Sequence, residues 1–351
     1  MKINDKMKAA IKSIFLTAAV LLIVIYPSEA AESTVKSINV CINSIFPSMF
    51  AFMVLSEYIQ NSGLYRIIFR PVLFVFKKII KADDSIVSVF LLSLFGGYPV
   101  GLKLLCGNIS QNKNSPAIIS ISENSAAFCY CISPTFALIM LGSGVLGNTA
   151  AGAVIYISDV LACLTMAVIV SHISDPGVHS SELTATGSGL IDAINSASRS
   201  LFLICTVIIS FNVVISCLTA FITEFGTEVS PMISGIFEIS NLLKLRSVPL
   251  SLVPVISAIA STGGLCVILQ CLAIVKGSFS VKKFLLARIP CALLSGIYTY
   301  IILRFTDISV ETSSLSANYT YSFSADKIIV LVLIAMCIII FYKTDKNSKK
   351  V

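Results

Sequence analysis

Gly96-Gly97-Tyr98-Pro99-Val100-Gly101-Leu102-Lys103 lies inside an apolar run, and a second glycine pair opens Gly263-Gly264-Leu265-Cys266-Val267-Ile268-Leu269-Gln270 inside another. Each run is long enough to enter a bilayer, which about 20 apolar residues cross as a helix. Adjacent glycines remove side chains and let a backbone bend or approach another chain closely. Two such breaks at corresponding places in two halves of a membrane protein point to a binding site built from interrupted helices. The competing reading of either pair is close packing, because small residues let membrane helices touch.

Composition sets the environment. Hydrophobic residues make up 56% of the 351 and charged residues 12%, against about 25% charged in soluble domains. Mean hydropathy is +0.93. Alternating strand patterns are missing, which argues against a closed barrel. The expected fold class is all-α: a polytopic helical membrane protein whose main partner is the lipid bilayer.

The net charge of +7 is concentrated at Lys2, Lys6, Lys8 and Lys12, at Arg66, Arg70, Lys77, Lys78 and Lys81, and at Lys343, Lys346, Lys349 and Lys350. Such clusters mark cytoplasmic flanks of spans. No aromatic-basic groove accompanies them, so nucleic acid is not an expected partner. Of 11 cysteines, Cys41, Cys163, Cys205, Cys217 and Cys337 sit in apolar runs, where thiols behave as small buried hydrophobes. Cys129-Tyr130-Cys131 lacks a second pair or nearby histidines, so the sequence offers no metal-binding pattern. No nucleophile-base constellation or phosphate-cradling loop stands out, and neither an enzyme nor a cofactor is expected.

Residues 1–37 read as a basic segment and anchor helix, with Ser28-Glu29-Ala30-Ala31 leaving signal cleavage as an alternative. Residues 38–173 form a first repeat. Within it Pro47 kinks a span at 38–59, 66–81 lies at the interface as an amphipathic helix, and spans follow at 86–107, 117–141 and 150–173. A polar linker at 174–189 precedes a second repeat at 190–305, with spans near 190–222, 248–275 and 284–303. A polar loop at 306–326 leads to a last span and basic tail at 327–351. Basic termini predict an even number of crossings of a cell membrane, with both ends cytoplasmic. Charge counting makes 86–107 a full crossing and 248–275 a re-entrant hairpin, whereas a strictly inverted repeat makes both re-entrant.

The candidate ligand contacts follow from the breaks. Half-helix ends at Gly96, Gly97, Pro99, Gly101 and at Ser261, Thr262, Gly263, Gly264 offer free N–H groups and partial positive charge. Lys103 and Gln270 occupy matching places beyond them. Glu123 and Glu238 are acids in membrane segments, where a charge costs on the order of 3 kcal/mol and faces a cavity or a partner. Salt bridges Glu123–Lys103 and Glu238–Lys244 are the structural alternatives. Asp159 and Arg199 also lie in apolar spans.

These residues resemble the sporulation integral membrane proteins of the YlbJ type, which carry nucleoside-recognition gate domains shared with the membrane part of the ferrous-iron transporter FeoB and with concentrative nucleoside transporters. Residues 96–103 are similar to the family's glycine-tyrosine-proline-x-glycine-x-lysine signature. Phe46-Pro47-Ser48-Met49-Phe50-Ala51-Phe52, Gly142-Ser143-Gly144-Val145-Leu146-Gly147-Asn148, and Phe237-Glu238-Ile239-Ser240 with Ser261-Thr262-Gly263-Gly264 and Gln270 resemble its other motifs. Where the family shows an asparagine-rich serine-glycine-proline motif, Tyr130-Cys131-Ile132-Ser133-Pro134 keeps only Pro134.

The resemblance implies two gate-type repeats with interrupted or re-entrant helices and a role in spore cortex formation. It also implies transport of an unidentified small solute, lined by Gly96, Gly97, Tyr98, Pro99, Lys103, Glu123 and Pro134 from one half. Glu238, Thr262, Gly263, Gly264 and Gln270 line it from the other. A homo-oligomer is compatible with this reading. A scaffold that assembles spore envelope proteins without transport is the alternative.

Overall fold

Pro47 has no N–H for the carbonyl four residues back, and its ring crowds that carbonyl. The chain answers by widening one turn: Cys41–Ile45 is π-helical, and the Phe46 N–H reaches back to the Cys41 carbonyl. The helix α2 (Pro27–Val40) thereby runs on into α3 (Phe46–Asn61). The proline expected to kink a separate span thus sits within one long helical rod. Before it, α1 (Lys2–Ile25) meets this rod at Tyr26 with a bend of 99°.

The computed structural model describes residues 2–80, 82–112, 115–173, 189–224, 231–246 and 248–306. The expected linker other than Gly189, the loop beyond Thr306 and the last span with its basic tail lie outside them. Every regular element among the described residues is helical. Four stretches are long and apolar enough to cross a bilayer: Thr149–Ile173, Leu190–Thr223, Leu250–Val275 and Lys282–Arg304. They make this a multi-pass helical membrane protein. The described residues pack as one unit.

After α3, a short turn α4 (Tyr65–Ile68) leads into α5 (Arg70–Ile80). Helix α5 buries Leu73 against Val87 and Leu91 of α6 (Asp84–Gly96) and leaves Phe74 67% exposed. α6 and α7 (Val100–Gln111) are 13 and 12 residues long, each too short to span. Between them Gly97, Tyr98 and Pro99 leave the helical path, with a cis peptide at Tyr98-Pro99. The chain folds back there, so that a Cβ built at Gly101 would stand 2.9 Å from Cβ of Ser93. The first glycine segment is therefore a corner, not the full crossing that charge counting predicts.

The second glycine segment behaves differently. α12 (Val253–Thr262) and α13 (Gly264–Val275) are separated by Gly263 alone, and Leu250–Val275 has the length of a single 26-residue span. One non-helical residue interrupts a helix; three can reverse it. The expected hairpin at 248–275 is not what forms.

The remaining helices are α8 (Pro116–Ser125), α9 (Thr149–Ile173), α10 (Leu190–Glu224), α11 (Pro231–Phe237) and α14 (Lys282–Arg304). α10 lies along the α2–α3 rod, joined by Asn212 Nδ2 donating to Ser37 Oγ at 3.1 Å. α14 packs on α12 and α9, with Ser257, Ser295 and Thr299 hydrogen-bonded between α12 and α14 at 2.8–2.9 Å. A π-helix, Thr135–Val145, packs on α9 through facing glycines. A Cβ built at Gly152 would lie 2.4 Å from the Ala137 carbonyl oxygen and 2.7 Å from Gly142 Cα. Gly152→Ala is accordingly expected to cost about 1–3 kcal/mol through overpacking. The check is a lower unfolding midpoint in detergent, read by a thiol-reactive dye as buried cysteines become exposed.

Candidate functional site

α8 ends at Ser125, and the next helix begins at Thr135. The intervening residues 126–132 are non-helical yet all buried. Irregular backbone at this depth is tolerated only where protein or a hydrated cavity satisfies its polar groups. Here the partners are protein. Ile132 N–H donates to Asp159 Oδ2 at 2.8 Å; the Tyr130 carbonyl accepts from Cys163 Sγ at 3.1 Å and from Arg288 Nη1 at 3.4 Å; the Ala127 carbonyl accepts from Arg288 Nη2. Among the described residues Arg288 has no carboxylate within salt-bridge distance. Its guanidinium instead stands 4.3 Å over the Tyr130 ring and 5.0 Å from that of Phe284, a favourable arrangement for a desolvated cation.

Both glycine breaks face this segment. A Cβ at Gly97 would meet Ser133 N at 2.7 Å, one at Gly101 would meet the Cys129 carbonyl oxygen at 2.0 Å, and one at Gly263 would meet Tyr130 Oη at 2.1 Å. Two tyrosines join the breaks. Tyr98 stacks on Tyr130 with ring centroids 4.8 Å apart. Tyr98 Oη donates to the Ala260 carbonyl at 3.3 Å, and Tyr130 Oη to the Thr262 carbonyl at 2.7 Å. A fourth irregular stretch closes the group. Glu238 separates α11 from the 3₁₀ turn Ile239–Lys244, and a Cβ at Gly264 would stand 3.3 Å from Ile239 N. Four breaks in helical structure thus meet at one crossing.

The sequence-derived candidates divide accordingly. Gly97, Tyr98, Pro99, Thr262, Gly263, Gly264 and Glu238 belong to the crossing, with Gly96 beside it against Phe52 and Pro134 heading the π-helix. Glu238 is buried and caps its 3₁₀ turn, accepting from Ser240 N–H at 2.8 Å and from the Ser240 hydroxyl. Lys103 is buried and pairs with Glu57 of α3, not with Glu123. Glu123 Oε1 accepts from Ser280 N–H at 2.8 Å, tying α8 to the loop before α14. Gln270 turns inward along its own helix and donates to Cys266 Sγ at 3.5 Å.

Three contributors went unassigned in the sequence: Glu57, Tyr130 and Arg288. Arg288 sits near Lys282 and Lys283 and reads as one more flanking cation, although its placement six residues into an apolar helix separates it from them. Beside the Lys103–Glu57 pair, Gln60, Ser85, Ser88 and Asn108 form a buried hydrogen-bonded cluster, with Gln60 Nε2 to Ser85 Oγ and Ser88 Oγ to Gln60 Oε1 both at 2.6 Å. The first half of the chain therefore carries a polar interior as well as a backbone break. No family description, no curated protein and no solved structure matches this chain.

Proposed function

We propose that the chain is a transporter-like membrane carrier for a small polar solute, of the sporulation-associated YlbJ type, held in a closed state. The observation that carries the reading is the meeting of four helix breaks, the buried segment among them, at one crossing. Carriers build their sites from discontinuous helices whose half-helix ends face the solute. Here α7 and α13 both begin at the breaks, and helix N-termini carry partial positive charge. With Arg288 one residue layer away and Glu238 in the crossing itself, the site presents both a cation and an acid to a polar solute. The α2–α3 rod and α10, each 35 residues long, support the reading of two related gate-type halves.

Opening such a carrier requires the tyrosine latches to release. Tyr98→Phe with Tyr130→Phe removes two hydrogen bonds, each worth about 0.5–1.5 kcal/mol. The double variant, relieved of about 1–3 kcal/mol at the opening step, is expected to carry solute roughly 5- to 160-fold faster than the parent in proteoliposomes. Small carboxylates, nucleosides and divalent cations are the panel to test. Absence of flux above protein-free vesicles for every solute, in both proteins, would sink the carrier reading.

A scaffold without transport is the second reading, and one observation favours it: the crossing is tightly filled. An open cavity of about 470 Å³ lies elsewhere, along the polar face of α10 formed by Asp192, Asn195, Ser196, Arg199 and Ser200. Stable envelope partners recovered with a flux-inactive protein would select this alternative.

A further inference from the structure

Asp159 and Cys163 are four residues apart on α9 and so share one face, a turn apart. The buried segment between α8 and the π-helix brings Cys131 against that face. The result is three buried ligand-type atoms, two thiol sulfurs and a carboxylate oxygen, all within 4.8 Å of one another. Cys131 Sγ lies 3.1 Å from Asp159 Oδ2. Asp159 is 1% exposed, and its other oxygen, Oδ1, is buried without a hydrogen-bond partner. A bare carboxylate oxygen in the middle of an apolar helix is costly; a bound cation would supply the missing partner.

We propose that Cys131, Asp159 and Cys163 form a binding site for a thiophilic divalent cation of the Zn²⁺ class. Thiolate sulfurs bind such a metal at about 2.3 Å in a tetrahedral arrangement, which places ligand atoms roughly 3.5–4 Å apart. The spacings present, 3.1 Å for Cys131 Sγ to Asp159 Oδ2 and none above 4.8 Å, bracket that range, so shifts of about an ångström reach it. Sulfur ligands select against Mg²⁺ and Ca²⁺, which take oxygen. A fourth position is left for water or for Cys291, which neighbours Cys163.

Charge also closes. Cys131 donates to Asp159 and Cys163 to the Tyr130 carbonyl, so both sulfurs stand as neutral thiols in this structure. Arg288 reaches the same Tyr130 carbonyl and balances one carboxylate. Binding M²⁺ forms two metal–sulfur bonds and releases the two thiol protons, so a doubly charged ion enters as two protons leave. Net charge in the low-dielectric interior does not change, and no oxidant or reductant is needed. The metal would fasten the buried segment to α9, whether or not the protein carries a solute.

The experiment uses the full-length protein purified in detergent, reduced and stripped with a chelator, and titrated with Co²⁺ as a spectroscopic probe. The expected result is a thiolate-to-cobalt charge-transfer band saturating at one metal per chain and displaced by Zn²⁺. Cys131→Ser combined with Cys163→Ser should abolish the band, and Asp159→Asn should weaken binding at least tenfold. X-ray absorption of the Zn²⁺-loaded parent protein provides a measurement that no variant's folding can confound: two sulfur neighbours at the Zn–S distance are expected with water in the fourth position, three with Cys291. A first shell without sulfur, or Co²⁺ binding unchanged in the double serine variant, would overturn the site. Neither outcome depends on solute flux.

Discussion

Lys103→Met is expected to destabilise the protein by about 3–5 kcal/mol, because it leaves Glu57 buried as an uncompensated acid. The two residues are 6% and 8% exposed, and Lys103 Nζ donates to Glu57 Oε2 across the α7–α3 contact. Glu57→Leu alone should cost a similar amount by stranding the ammonium. The double variant Glu57→Leu, Lys103→Met should recover most of the loss, since replacing a buried pair by apolar side chains of similar volume is often neutral. Unfolding midpoints of the four proteins in detergent form a double-mutant cycle that isolates the coupling. Single substitutions costing less than about 1 kcal/mol would show the pair to be solvated and only loosely held.

This expectation also constrains function. A lysine already neutralised by Glu57 presents little net charge to a solute, so Lys103 takes part in binding only if the carrier cycle separates the pair. The polar cluster of Gln60, Ser85, Ser88 and Asn108 lies on the same two helices and α6, and offers polar partners to either residue after such a separation. The double apolar variant, if well folded, then divides the two roles: unchanged flux makes the pair structural, and lost flux places it in the cycle.

Apolar span length and the two glycine pairs made the membrane setting and the breaks legible in the sequence, since both are local signals. The direction of each break was not. Gly97-Tyr98-Pro99 and Gly263 look alike as glycine interruptions, but three residues off the helical path turn the chain and one does not. Charge counting tells them apart the wrong way round, because it reads loops and not backbone. Partners across the fold were equally hidden. The salt bridge the sequence offers Lys103 as an alternative to a ligand contact is with Glu123, whereas its partner Glu57 is 46 residues away on a helix whose own pattern is apolar. Asp159 and Cys163 did carry a readable one-turn spacing. Nothing in the sequence placed Cys131 beside them, because that contact depends on an unwound segment with no periodicity to read.

The two glycine breaks should respond to the same substitution in different ways. Gly97 has φ +69° and ψ −176°, a region populated essentially by glycine alone. A Cβ there would also lie 2.7 Å from Ser133 N and 2.9 Å from Ser133 Cα, both main-chain atoms that cannot swing aside. Gly97→Ala therefore combines backbone strain of about 1–3 kcal/mol with overpacking of a similar size, for a loss of about 2–5 kcal/mol. Gly263 has φ +74° and ψ −3°, a left-handed conformation that alanine adopts at a cost of about 1 kcal/mol. Its clash is with Tyr130 Oη at 2.1 Å, the far end of a side chain. Tyr130→Phe removes that oxygen, so Gly263→Ala should be markedly less harmful in the phenylalanine background, while Gly97→Ala should cost the same in both. Unfolding midpoints of the parent, the three single variants and the two combinations decide the matter. Equal rescue of both alanine variants, or of neither, would mean that Tyr130 is not wedged into the second break, and the crossing on which the carrier reading depends would have to be redrawn.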